Sequence, residues 1–239
     1  MKEFKTVFER NEKKYLVSSE EKQLILRLAQ NRLSPDGYGK STVCNIYFDT
    51  PDYRLIRNSI EKPVYKEKFR LRCYGVPSDD STAFVELKKK YKGVVYKRRF
   101  ATTYRDAVLY TLKGVHPKQA NRQVLNEMDY VFSFYGNLHP AVSLFYDREA
   151  FFSKEDDSLR ITFDTAVRFR NEDFDLSHGD RGEVILAENT HIMEIKCADS
   201  MPLWLTEILT ENNIYPATFS KYAQAYRTIL GKNKTTAVV

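Results

Sequence analysis

The chain has 239 residues, enough for one large domain with a substantial core, and its Lys and Arg number 38 against 32 Asp and Glu. The net charge of +6 at pH 7 favours an anionic partner without choosing among nucleic acid, nucleotide, phosphate chain or acidic membrane. Three cysteines without paired spacing argue against a disulfide framework, and no Cys/His set has zinc spacing. The first residues carry no signal-peptide core and no apolar run can span a bilayer, so the expectation is a cytoplasmic protein.

In chain order, Phe4 to Val17 reads as a strand with Arg10, Glu12, Lys14 and Leu16 on one face. Ser18-Ser-Glu-Glu21 is a capping-box pattern ahead of a helix reaching about Leu33. A turn at Ser34 to Gly39, a strand from Thr42 to Asp49 and a short helical piece near Tyr53 to Ser59 follow. Alternation then places Lys68, Arg70, Arg72 and Tyr74 opposite Phe69, Leu71 and Cys73, and Glu86 and Lys88 opposite Val85 and Leu87. Val94 to Thr102 sets Val95, Lys97 and Arg99 on one face. A helical region from about Tyr104 to Tyr135 breaks near Gly114 to Pro117. Strands return at Ala141 to Phe152, at Ser158 to Arg168 with Arg160, Thr162 and Asp164 together, and at Thr190 to Ala198 with Glu194 and Lys196 together. Helices from Met201 to Asn213 and Ser220 to Leu230 close the chain, with 231–239 expected as a frayed tail.

Long β-segments without regular βαβ alternation indicate an α+β fold with a mainly antiparallel sheet, one face apolar and the other densely ionic. No repeat or linker divides the chain, so a single domain over 1–239 is expected. Amphipathic helices need an apolar surface, which fits helices outside and charges in a lumen. A sheet with helices on one face and solvated charges on the other fits the pattern equally.

Several local motifs carry nothing. Gly39-Lys-Ser41 resembles the end of a phosphate-binding P-loop, but Ser34 stands at the upstream glycine and a strand follows. The four histidines are scattered, and no Gly-x-Ser-x-Gly elbow is present. The basic-aromatic run Lys88 to Phe100 has no RNA-recognition signature, so no nucleic-acid partner is expected. Ser220 is a good N-cap that places Lys221 in the first turn of the last helix, where its charge opposes the helix dipole unless an anion lies nearby.

Taken in order, Glu12-Lys-Lys-Tyr-Leu-Val17, Tyr47-Phe-Asp-Thr50, Phe69-Arg-Leu-Arg72, Val85-Glu-Leu-Lys88, Tyr146-Asp-Arg148, Met193-Glu-Ile-Lys196 and Phe219-Ser-Lys-Tyr222 resemble the VTC (vacuolar transporter chaperone) polyphosphate polymerase domain. That domain belongs to the triphosphate tunnel metalloenzymes, or CYTH superfamily, and the resemblance runs from about Lys5 to Leu230. It implies a closed β-barrel with a charged lumen and helices packed outside. It also implies ATP and inorganic polyphosphate as partners, Mn²⁺ or Mg²⁺ as cofactor, and transfer of the γ-phosphate to a growing chain with release of ADP. By motif, Lys14, Arg70, Arg72, Lys88, Arg148 and Lys221 match phosphate-contacting cations expected to act in catalysis, and Tyr146 and Ser220 match substrate-binding positions. Lys97 joins them, although Tyr96-Lys-Arg-Arg99 permits a shift of register. Glu194 matches the metal-coordinating glutamate, and the ionic strand faces add Arg160 and Lys196 as substrate-binding candidates. Glu12 and Glu86 are expected to orient neighbouring cations. The additional regulatory and membrane-spanning domains of the eukaryotic assemblies are not expected in this chain. A tripolyphosphatase or nucleoside triphosphatase using the same tunnel, and a non-catalytic receptor for polyphosphate or inositol polyphosphates, are the alternative readings.

Overall fold

The structure, a computed structural model, describes residues 11–236 except Tyr38, Gly93 and Asp199. Its centre is a 10-stranded antiparallel sheet. The main path runs β1 (Asn11–Ser18), β10 (Thr190–Cys197), β8 (Arg160–Arg170), β7 (His139–Ser153), β3 (Ser41–Asp49), β4 (Tyr65–Tyr74), β5 (Thr82–Tyr91) and β6 (Val94–Thr103). Two short strands, β2 (Leu33–Pro35) and β9 (Glu183–Val184), pair with β7 and β8.

The apolar strand faces decide where most helices go. Phe69, Leu71, Val85 and Leu87 are fully buried beneath α3 (Tyr104–Lys113) and α4 (Arg122–Tyr135), which contribute Ala107, Met128 and Val131. On the other half of the sheet, Val17, Ile161, Met193 and Ile195 lie beneath α1 (Ser19–Leu28) and α5 (Leu203–Glu211) through Ile25 and Leu205. Burying each large side chain of this kind contributes about 1.5–3 kcal/mol before chain entropy is charged against it.

The last helix, α6 (Lys221–Thr236), does something else. Tyr222, Ala225, Tyr226 and Ile229 pack with Val43, Tyr47, Leu144, Tyr146, Val167 and Ile192, on the ionic, concave side of the sheet. This corrects two expectations. Not every helix lies outside, and the barrel is open. Among the described residues β1 and β6 are unpaired edges. Between those two edges the sheet has no backbone pairing. Side chains bridge the gap instead, with Lys88 Nζ of β5 at 3.4 Å from Glu12 Oε2 of β1.

Asp49 ties this arrangement together. Its fully buried carboxylate accepts from the backbone N–H groups of Thr50, Leu55 and Ile56 at 2.9, 2.7 and 3.0 Å, which anchors the start of α2 (Arg54–Ile60). It also accepts from the Tyr222 hydroxyl of α6 at 2.8 Å. Asp49→Ala orphans these donors, and at about 1–3 kcal/mol for a buried unsatisfied group it is expected to lower the urea midpoint clearly while leaving the m-value unchanged.

Smaller differences have local causes. α1 stops at Leu28 and Leu33 opens β2, because Leu33 N and Ala29 N close the helix onto Ala29 O and Ile25 O and the chain then pairs with β7. Residues 231–236 extend α6 and are not a tail, whereas 237–239 lie outside the described residues. So do 4–10, the beginning of the expected first strand, with Arg10.

Candidate functional site

Strand register brings the expected cations onto one concave face. Arg70 of β4 lies opposite Glu86 of β5 and Tyr47 of β3, and Glu86 lies opposite Arg99 of β6. One row along, Lys68, Lys88 and Lys97 stand side by side across β4, β5 and β6. On the other wall, Lys14 of β1 lies opposite Glu194 of β10, which lies opposite Thr162 of β8. Arg148 of β7 lies opposite Asp164 of β8.

Two buried carboxylates order these charges. Glu86, 2% exposed, meets Arg70 at 2.6 Å, Lys97 at 2.5 Å and Arg72 at 3.9 Å. Burial disfavours its charged form, but Arg70, Arg72 and Lys97 outweigh that and hold the carboxyl well below the usual range. Lys97 therefore shares its carboxylate with Arg70 and Arg72. Asp164, fully buried, accepts two bonds from Arg148 (Nε at 2.6 Å, an Nη at 2.8 Å) and one from Lys221 Nζ at 2.6 Å. Burial again opposes ionisation, and Lys221 and Arg148 bring this carboxyl below its ordinary value. The Lys221 charge in the first turn of α6 is thus answered by Asp164 and by the Tyr146 ring, 4.4 Å from Nζ.

The remaining partners set orientation. Arg72 donates to Asn45 Oδ1 at 2.9 Å and to the Tyr146 hydroxyl at 3.2 Å, and Arg70 donates to the Tyr47 hydroxyl at 2.9 Å. Burial raises the Tyr47 phenol, yet Arg70, Lys68 and Arg72 outweigh it and bring it down to about 7. Lys14 Nζ donates to the Phe219 carbonyl at 3.2 Å, and Ser220 Oγ accepts from Ala223 N at 3.3 Å, capping α6. Burial brings Lys97 down to about 8 despite Glu86.

Lys14, Arg70, Arg72, Lys88, Lys97, Tyr146, Arg148, Glu194, Ser220 and Lys221 are therefore gathered in one concavity. Arg160 is not. It lies two rows beyond Asp164, drawn aside by Asp36 at 3.4 Å and stacked on the Phe152 ring. Lys196 lies opposite it and pairs with Glu194 at 3.2 Å. Sequence reading missed Lys68, Tyr47, Asn45 and Asp164 as members of the site. Alternation had placed Lys68 and Asp164 on the ionic face, but only the fold shows that they face the other charges.

A metal fits this donor set in one way only. Among the described residues no group of three or more His, Cys, Asp or Glu is placed to hold an ion. Burial disfavours the charged form of Glu194, but Lys196, Lys14 and Arg148 outweigh it and hold this carboxyl well below its usual range. One or two carboxylates with phosphate oxygens completing the shell is the mode of Mg²⁺ and Mn²⁺ at nucleotide sites.

The curled antiparallel sheet thus presents a cation-lined concavity on its inner face. The chain belongs to the VTC domain family, whose model matches residues 9–230. It is 26% identical over 227 residues to vacuolar transporter chaperone complex subunit 4 of Trypanosoma brucei brucei, covering 80% of this chain and 29% of that protein. The same subunit of Trypanosoma cruzi is also 26% identical over 227 residues, covering 80% and 28%. The chain thus spans less than a third of the length of these relatives. A solved Bacillus halodurans structure named for adenylate cyclase shares the fold, with a TM-score of 0.53 and 16% identity over 90% of this chain and 96% of that one. Among the described residues no helix is long and apolar enough to cross a membrane.

Proposed function

We propose that this domain is a polyphosphate polymerase that transfers the γ-phosphoryl group of ATP to the end of an inorganic polyphosphate chain and releases ADP. The observation that carries this reading is the convergence of Lys14, Arg70, Arg72, Lys88, Arg148 and Lys221 from four strands and one helix on a single concavity. A string of phosphates is the ligand that matches so dense a set of cations.

A terminal phosphate oxygen of the chain attacks Pγ while the bond from Pγ to the β,γ-bridging oxygen breaks, and the electron pair leaves with ADP. The nucleophile is already ionised near neutral pH, so the site needs positioning and charge neutralisation more than a general base. Arg148 turns one edge of its guanidinium to Asp164, which leaves its other N–H groups for phosphoryl oxygens. Arg70 is held in the same way by Glu86 and Tyr47. Lys14, Lys88 and Lys221 act as point charges along the chain. Glu194, with Glu12 beside it, would hold Mn²⁺ or Mg²⁺, which supplies Lewis-acid neutralisation of phosphate oxygens when bound.

Purified protein incubated with ATP and Mn²⁺ is expected to yield long anionic polymer on a gel, with ADP released in step. Orthophosphate as the sole product would make the domain a tripolyphosphatase or nucleoside triphosphatase. Binding without turnover would make it a receptor.

A further inference from the structure

The carboxylates of the concavity account for most of its cations, but not for Lys68. Arg70, Arg72 and Lys97 share Glu86, and Arg148 and Lys221 share Asp164. Lys196 has Glu194, and Lys14 and Lys88 share Glu12 at 3.7 and 3.4 Å. Lys68 has none within ion-pairing distance among the described residues. Its Nζ donates to Ser220 Oγ at 3.2 Å, a neutral partner at the turn into α6. The titratable groups facing it are Lys14 from β1, Tyr47 from β3, Lys66 on its own strand and Lys88 from β5. Burial first, and then Lys14, Lys88 and Lys66, bring this ammonium down to about 8 against the pull of Tyr47. A half-buried ammonium facing three other lysines, with only the Ser220 hydroxyl and the Tyr47 phenol as counterweights, is stabilised when an anion joins it.

We propose that Lys68 is a substrate-contacting residue whose ammonium grips a non-bridging oxygen of the phosphate chain between Ser220, Lys88 and Lys14. The inference rests on the concavity being the phosphate-chain site. It adds to that reading a cation whose only strong partner is the ligand. Since the anion favours the charged amine, binding at pH 8 draws a proton onto Lys68.

The test compares wild type, Lys68→Met and Lys68→Arg by titration calorimetry with inorganic tripolyphosphate alone, in two buffers of different ionisation enthalpy at pH 8, and by thermal melting. A charge-assisted contact predicts a loss of affinity of about 10- to 100-fold in Lys68→Met and recovery of most of it in Lys68→Arg. Proton uptake on binding should be smaller in Lys68→Met than in wild type. The melting temperature of unliganded Lys68→Met should equal or exceed that of wild type, since an unfavourable charge has been removed. Tripolyphosphate binding by Lys68→Met within twofold of wild type overturns the assignment to Lys68 while the concavity remains the phosphate site. Lower melting with equal loss of affinity in both variants makes Lys68 structural and overturns it as well. Failure of the wild type to bind tripolyphosphate removes the phosphate-site reading itself, and the proposal with it.

Discussion

Arg148→Ala is expected to lower the rate of phosphoryl transfer from ATP by about 10²–10³-fold, the scale seen when a preorganised transition-state donor is removed. The guanidinium is fixed before any substrate arrives. Asp164 takes two of its N–H groups, the Tyr146 ring lies 5.2 Å from its central carbon, and Glu194 stands at 3.9 Å. A donor so constrained has little to reorganise when charge builds on the transferring group. The fold should survive the change, because Asp164 keeps Lys221 at 2.6 Å and is not left as a bare buried charge. Arg148→Lys restores the charge but not the planar fork, so it should recover only part of the rate. Initial rates of ADP release across a range of ATP concentrations, with a melting curve for each variant, provide the check. A fall in kcat with little change in KM is the signature of a contact made mainly in the transition state. A kcat for Arg148→Ala within threefold of wild type would remove Arg148 from the reacting centre.

The ionic face could be read from alternation because β4 and β5 are regular. Every second residue from Lys68 to Arg72 and from Glu86 to Lys88 faces inward, and the register between the two strands is unbroken. The same rule fails on β8. Thr162 and Asp164 face the concavity, but so do Val167 and Phe169, which pack with the α6 cluster. The alternation switches at Ala166, whose φ of 47° places it in the left-handed region, where the pairing of β7 with β8 loses its regular register. Nothing in the residues around an alanine announces that switch. The open barrel was hidden for a different reason. Tyr222, Ala225, Tyr226 and Ile229 form an ordinary apolar helix stripe that suits either face of a sheet. Only the contact of Tyr222 with Asp49 and of Lys221 with Asp164 places α6 within the curl. Asp164 itself was visible as a charge on the right face. Its role as shared counter-ion depends on β7 and α6 meeting there, a long-range fact that no local pattern contains.

Glu86→Gln is expected to be the most destabilising single change in the site. The carboxylate is 2% exposed and balances Arg70, Lys97 and Arg72, so a neutral amide leaves a cluster of buried cations without their counter-charge. Breaking a buried ionic set of this kind costs about 3–5 kcal/mol, a large share of a typical domain's total stability. The pH dependence follows from linkage. Because the folded carboxyl titrates well below its ordinary value, the stabilisation is fully present above the unfolded value of about 4.3 and is lost as pH falls through the folded one. Urea unfolding of wild type and Glu86→Gln should therefore differ most near neutrality, and the gap should narrow on acidification below about pH 4. Anions should stabilise the two proteins to different degrees. Cations stripped of Glu86 bind phosphate chains more readily, so tripolyphosphate should raise the melting temperature of Glu86→Gln by more than that of wild type. A variant as stable as wild type, or one that tripolyphosphate stabilises less, would show that Glu86 does not balance the charge that a bound phosphate chain would balance.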